Sequence, residues 1–482
     1  MSNPNIVYLH THDAGRCIEP YGWKGHTPYL QRLAEEGVVF RNAHAVGPTC
    51  SPSRAALLTG TYPHANGMFG LSHREAGGFS LADYGDHLIH TLKGAGYVTA
   101  LAGVQHIDGP DSSTWTRPDQ ARTAYGSRIG YDHVLNADDI PSRFRATEMA
   151  AERAVEFIHD EQNQPFFLSV GFMYPHAPFE RVPEGLSAVD PRFVPVPAGL
   201  PDTSETREDL SCFIAKMQDT DRRMGMVLDA IEASGRADNT IVIATTDHGI
   251  AFPGMKCTLR DSGTGVFLIM KGPAIDRGRI SDALVSHLDV FPTLCDLAGV
   301  EQPDRLAGRS LRPLLDGKTD TLHSEIYSEV TYHAAYQPMR AVRTSRWKYI
   351  KRFYNYPYEV YPNQDDSRTK RILSEATRGR TVPREELYDL LLDPSETHNL
   401  AGMADWEAIR LDLERRLKSW METTDDPILH GPISIPDDGM IAAMDVLDKR
   451  DGQFTSREWD ERVRDEWRVV WSPELAEEAD DR

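Results

Sequence analysis

At 482 residues the chain can bury a large core, and length alone suggests two or three domains, or one large α/β domain with an appendage. Its formal net charge of −21, with no long basic run, argues against nucleic acid or an anionic membrane as a partner. The longest apolar stretches, such as PFFLSVGFM at 165–173, are too short to cross a bilayer as a helix.

The amino terminus, MSNPNIVYLHTHD, passes almost directly into a strand-like run without a basic leader or cleavage site, so export is not expected. Strands are predicted over 6–9, 98–101, 166–171, 241–244 and 266–270. Helices are predicted over 28–36, 86–95, 147–159, 210–233 and 289–298, the first with Thr27 as cap and Gly37 as stop. This alternation predicts an α/β fold, a mainly parallel sheet sandwiched by helices, over residues 1–319. From about residue 320 the runs SEIYSEV, MRAVRTSRWKYIKRF and ELYDL alternate in polarity and a helix follows at 406–421. A smaller C-terminal antiparallel-sheet subdomain is expected over 320–423, then a tail over 424–482 that wraps the surface, with PELAEEADDR fraying at its end. Five cysteines (Cys17, Cys50, Cys212, Cys257, Cys295) form no C-x-x-C pair, and their odd number argues against a disulfide framework, so a cytoplasmic location is expected.

The segment PTCSPSRAALLTG, 48–60, carries helix signals: Ser51 as N-cap, Pro52 at the first helical position and Gly60 as the stop. Cys50 then stands at a helix entrance, where unsatisfied N–H groups and Arg54 favour an anion and would depress a thiol pKa. The alternative is a small buried hydrophobe, which the helix signals alone favour. Polar residues past the strands are more telling, because open α/β sheets bind ligands beyond the carboxyl ends of their strands. There stand His10-Thr11-His12-Asp13, then His106 in GVQHIDG, His176 in YPHAPF, and Asp247 and His248 in TTDHG. Each alone reads as structural. As a set they suit a divalent metal, with Asp13, Asp247 and His248 as ligands, His12 joining them, and Cys50 facing the site; His10 reads as structural.

These residues resemble the sulfatase family, within the alkaline-phosphatase-like superfamily. CSPSRAALLTG matches its C-x-P-S-R signature followed by L-T-G, supported by Asp13, PHAPF, TTDHG with the later Lys256, DVFPTLCDLAG with GRSL, and ELYDLLLDPSETHNLAG. The resemblance covers about residues 4–402. CSPSRAALLTG with HANGMFGL, and the spacing in TTDHGIAFPGMK, look closest to the heparan N-sulfatase (sulfamidase) branch. It implies that Cys50 is oxidised by a formylglycine-generating enzyme, and that the hydrated aldehyde attacks sulfur and then expels sulfate by re-forming the aldehyde. It implies that His12, Asp13, Cys50, Asp247 and His248 surround one divalent metal, with His248 where many relatives carry asparagine. Arg54 would hold the nucleophile or carboxylates, His106 the diol, His176 the leaving group or sulfate, and Lys256 a sulfate oxygen. The expected activity is hydrolysis of a sulfate ester or sulfamate on a carbohydrate, from a small-molecule or oligosaccharide substrate.

Two departures from the family pattern stand out. His12-Asp13 replaces a pair of aspartates, which weakens the case for the family's calcium and strengthens that for manganese, zinc or iron, with magnesium remaining open. Val104-Gln105 replaces a lysine before the histidine, and Arg16 is a candidate replacement charge. The rival readings are a phosphonate monoester or phosphodiester hydrolase of the same superfamily, and an inactive binding protein. Substrate selection is expected in loops at 70–78, 108–128 and 353–366.

Overall fold

The computed structural model describes residues 3–108, 128–135, 145–160, 164–180, 182 and 185–461. Its centre is an eight-stranded sheet in the order Arg279–Ser281, Val38–Phe40, Leu268–Lys271, Thr240–Thr246, Asn5–Thr11, Phe166–Gly171, Val98–Gly103, His133–Val134. All pairings are parallel except those of Leu268–Lys271, which runs against both neighbours. The expected strand at 266–270 is therefore two pieces. Gly265–Val266 pairs with Ala43–His44 in a small separate sheet, and Leu268–Lys271 joins the large one.

Burial on both faces explains why the central strands are almost continuously apolar. Along Asn5–Thr11, Ile6 and Tyr8 point into one apolar layer and Val7 and Leu9 into the other, as the two-residue period of a strand requires. One layer is closed by the helices Pro28–Glu36, Arg145–His159 and Ser204–Ala233, through Leu30, Ala150 and Met224 among others. The other is closed by Cys50–Thr59, Leu88–Gly94 and Val290–Ala298, through Leu57, Leu92 and Leu294. The helix from Ser204 starts six residues before the predicted position because Thr203 caps it, accepting from the Thr206 N–H.

The C-terminal sheet, Glu325–Tyr332, Tyr336–Thr344, Trp347–Arg352 and Glu385–Asp389, is antiparallel throughout, and the helix Glu407–Thr423 supplies Leu413, Leu417 and Trp420 to the same core. That core runs without a break from Ile6 to Trp459. The described part of the tail corrects the surface-wrap expectation: Asp426, Ile428, Ile435, Ile441 and Trp459 are buried. Arg340, fully buried, holds Asp426 with two guanidinium nitrogens at 2.5 and 3.0 Å, and Trp459 donates to the Tyr332 hydroxyl at 2.8 Å. The fraying end at 473–482 lies outside the described residues.

Candidate active site

Thr240–Thr246, Asn5–Thr11, Phe166–Gly171 and Val98–Gly103 lie side by side and parallel. Their carboxyl ends therefore open at one edge, where His12, Asp13, His106, His176, Asp247 and His248 follow. The helix Cys50–Thr59 begins beside this edge and sets Cys50 Sγ 3.5 Å from His248 Nε2. Ligand-type atoms of Asp13, Cys50, Asp247 and His248 all lie within 4.8 Å of one another, and so do those of His12, Asp13, Cys50 and His176.

Backbone shape brings the groups in. Asp13 and His106 both adopt left-handed backbone, at φ 49° and 62°, turning the chain out of its strand. A Cβ on Gly249 would sit 2.0 Å from the Ser262 carbonyl, so only glycine fits behind His248. The helix starts at Cys50, with Thr49 rather than Ser51 in the cap position. Ser51 is spent otherwise, donating to the His106 carbonyl at 2.5 Å, and Ser53 likewise to that of Asp247 at 2.5 Å. The loop carrying Lys256 is tied to the helix entrance by the Cys257 N–H on the Pro48 carbonyl at 2.9 Å.

Arg54 spans the floor of the site. It meets His10 Nδ1, donates to the Thr11 carbonyl at 2.9 Å and to Asp247 Oδ2 at 3.0 Å. Asp247 Oδ1 in turn accepts the backbone N–H of Asp13 at 2.8 Å and of His248 at 2.9 Å. His10, bonded also to Ser169 at 3.2 Å, is structural as expected. Lys256 reaches Asp13 at 3.3 Å and Asp365 at 2.8 Å. His248 Nδ1 can only donate to the Gly249 carbonyl, 2.9 Å away, which leaves Nε2 to face Asp13 at 3.3 Å and Cys50 at 3.5 Å. His176 follows the same logic: Nδ1 donates to the Ala177 carbonyl at 2.7 Å and Nε2 faces Asp13 at 3.8 Å.

Electrostatics sort the groups by charge. Burial, helped by Arg54, pushes His12 down to about 3, and burial also lowers His106 and His176, so these rings are neutral near pH 7. Burial opposes the charge on Asp247, yet His248, Arg54 and His12 hold its carboxyl well below the usual range. Burial likewise opposes the charge on Lys256, but Asp13 and Asp365 hold its ammonium well above. The low thiol pKa expected at Cys50 is not found: burial drives it well above the ordinary value, outweighing Lys256 and the helix entrance.

The donor set suits a metal ion. Neither nitrogen of buried His12 makes a hydrogen bond of good geometry, although Nδ1 lies 3.1 Å from Asp247 Oδ2. Asp13 Oδ1, also buried, accepts none either. Buried polar atoms are normally satisfied, and a cation bound among them would satisfy Asp13 Oδ1 and one nitrogen of His12.

Gln105 turns away from the site, its Oε1 accepting the N–H groups of Ile107 and Asp108 at 2.5 and 2.8 Å and so shaping the His106 loop. Arg16 does not replace the missing lysine. It is bound to the Ala43 carbonyl at 2.9 Å and to His44 at 3.1 Å, because its strand-end turn points it at the neighbouring small sheet. Four neighbours had no sequence signal of their own. Asp365 and Lys449 approach from the C-terminal segments, His73 lies 2.8 Å from His106 Nε2, and Lys216 donates to the carbonyls of His176 and Pro178 at 2.9 and 2.7 Å. Of the expected substrate loops, residues 109–127 lie outside the described residues.

With this geometry in hand, comparison with known proteins is direct. The sequence model of the sulfatase family matches residues 4–300, and that of the N-sulphoglucosamine sulphohydrolase C-terminal region matches 256–382. Human N-sulphoglucosamine sulphohydrolase is 29% identical over 458 residues, covering 84% of this chain and 87% of that protein. An ulvan-active sulfatase of Formosa agariphila is 28% identical over 444 residues, covering 90% and 83%. Among solved structures, a protein in complex with its substrate D-glucosamine-2-N,6-O-disulfate superposes with a TM-score of 0.66 at 20% identity, over 88% of this chain and 99% of that one. A family match over more than half of the chain, spanning the strand ends and helix entrance just described, shows that this chain belongs to the sulfatase family.

Proposed function

We propose that the chain hydrolyses a sulfate ester or sulfamate on a carbohydrate, using a formylglycine made from Cys50 and one divalent metal ion. The observation that carries this reading is the buried Cys50 side chain at the meeting point of Asp13, Asp247, His248 and His176. Its conversion would place an oxygen nucleophile among those groups. Formylglycine at position 50 supplies a hydrated aldehyde, one hydroxyl to attack sulfur and a second that lets sulfate depart. Asp13, Asp247, His248 and His12 would hold the divalent ion, which supplies Lewis acidity at that attack.

The chain's own groups do the rest. Arg54 fixes Asp247 and the end of the first strand. Lys256 offers its ammonium to a sulfate oxygen, and His106 orients the nucleophile from the opposite loop. His176 presents Nε2 to the leaving group, since Nδ1 is committed to Ala177, and would have to take up a proton there before passing it on. Relatives named for ulvan and N-sulphoglucosamine support a carbohydrate substrate, and the mixed nitrogen and oxygen donors favour manganese or zinc over calcium.

The test is peptide mass spectrometry across Cys50 on protein co-expressed with a formylglycine-generating enzyme, with rates on glucosamine N-sulfate, 4-nitrophenyl sulfate and a phenyl phosphonate monoester. The aldehyde mass and faster sulfate hydrolysis are expected. A thiol that persists despite the maturase would sink the reading, and a faster phosphonate reaction would replace it with the rival hydrolase.

A further inference from the structure

Residues 383–461 lie beyond both matched family regions, and part of them returns to the mouth of the active site. The hairpin of Met440–Ala442 and Gln453–Thr455 touches the two described loops that border the reacting centre. On one side Gly77 N–H donates to the Met440 carbonyl at 2.9 Å and Arg74 to that of Asp438 at 2.7 Å; this loop carries His73, the neighbour of His106. On the other side Lys449 Nζ lies 3.8 Å from Asp365 Oδ1. The second oxygen of Asp365 accepts from Lys256 at 2.8 Å. One carboxylate thus stands between a cation at the reacting centre and a cation on the hairpin.

The two cations are held differently. Lys256 is buried and fixed by Asp365 and Asp13. The Lys449 side chain is 46% exposed, and its distance to Asp365 is too long for a hydrogen bond. Arg450 beside it is already bound to Asp448. Among the described residues Lys449 is therefore a positive group of this rim that an incoming ligand can reach and order.

We propose that Lys449 is a specificity-determining residue that receives a second oxyanion, sulfate or carboxylate, on the same sugar residue as the scissile sulfate, while Asp365 Oδ1 accepts a hydroxyl between them. The two ammonium groups approach opposite oxygens of one carboxylate, Lys256 at Oδ2 and Lys449 at Oδ1, so a ligand held at the first lies close to the second. The inference rests on the sulfatase reading of the site and adds a preference for doubly anionic sugars.

Calorimetric binding of glucosamine-2-N-sulfate and glucosamine-2-N,6-O-disulfate to the full chain carrying Cys50→Ala, which cannot turn over, tests it. The disulfate is expected to bind about tenfold more tightly, the size of one partly exposed charge-assisted contact. Adding Lys449→Ala should abolish that ratio, leaving monosulfate binding unchanged, and Lys449→Arg should keep it. Equal affinities in the Cys50→Ala chain, or a ratio untouched by Lys449→Ala, would overturn the proposal. Loss of turnover by the matured wild-type enzyme, with the binding ratio intact, would instead count against the sulfatase reading alone.

Discussion

At His12 an imidazole whose Nδ1 lies 3.1 Å from Asp247 Oδ2 also clusters with Asp13 and Cys50, so the proposed metal pocket would mix nitrogen with oxygen donors. Under the proposed reading such a set would discriminate against calcium, which prefers six or more oxygens. The change His12→Asp should therefore shift selectivity. In thermal melts, calcium is expected to raise Tm more, and manganese or zinc less, in the variant than in the wild type, with a site near saturation adding about 2–3 kcal/mol. A second residue-scale outcome concerns His64. Burial opposes its protonation, but the Glu329 carboxylate 2.6 Å from Nδ1 prevails and raises its pKa above the ordinary 6.5. The stability it contributes is complete below pH 6.5 and is lost as pH rises through the raised folded value. Melting temperature should accordingly fall from pH 6.5 upward, and His64→Gln should flatten that limb. Strand-end residues such as Asp13, Asp247 and His248 were legible because their position past a β-run is a local pattern. The thiol pKa was not, since helix-entrance chemistry is local whereas the burial that overrides it depends on what packs over Cys50.

Among the elements, the long helix Ser204–Ala233 does more than cover the sheet. Its Lys216, wholly buried, holds the loop that presents His176 through two carbonyls and lies 5.3 Å from the ring centroids of Tyr174 and Phe179. Lys216→Met keeps the volume and removes the bonds. A loss of about 1–3 kcal/mol in urea unfolding is expected, with a drop of about tenfold in kcat/KM as His176 loses its fixed position. Chain-order patterns predicted the parallel strands and the helices Pro28–Glu36 and Val290–Ala298 closely, because caps, stops and apolar runs are written within a few residues. They missed the helix Arg368–Thr377 and merged the two pieces around Phe267, where the change of sheet depends on Ala43–His44 for one piece and Val38–Phe40 for the other, each more than 200 residues away.

For the whole molecule, the segment after Thr423 decides whether the core closes. Removing it takes Asp426 from Arg340, leaving a buried guanidinium without its main partner at a cost of about 3–5 kcal/mol, and uncovers the apolar surface under Ile441 and Trp459. A chain ending at Thr423 is expected to lose its cooperative thermal transition and to elute as aggregate in size-exclusion chromatography; a monomeric, cooperatively melting product would contradict this. Nothing in the composition of that segment marked it as core, since its few apolar residues are spaced among Pro, Asp and Glu and take meaning only from the surface they meet.

The left-handed backbone at Asp13 and His106 carries a consequence for how this protein can change. Each non-glycine residue there costs on the order of 1 kcal/mol of strain that glycine would relieve. Glycine at His106 would relieve that strain and remove the imidazole with it, whereas at Asp13 the gain is outweighed by the loss of a carboxylate that partners buried Lys256. An active lineage must accept a slightly weaker fold as a condition of keeping its site.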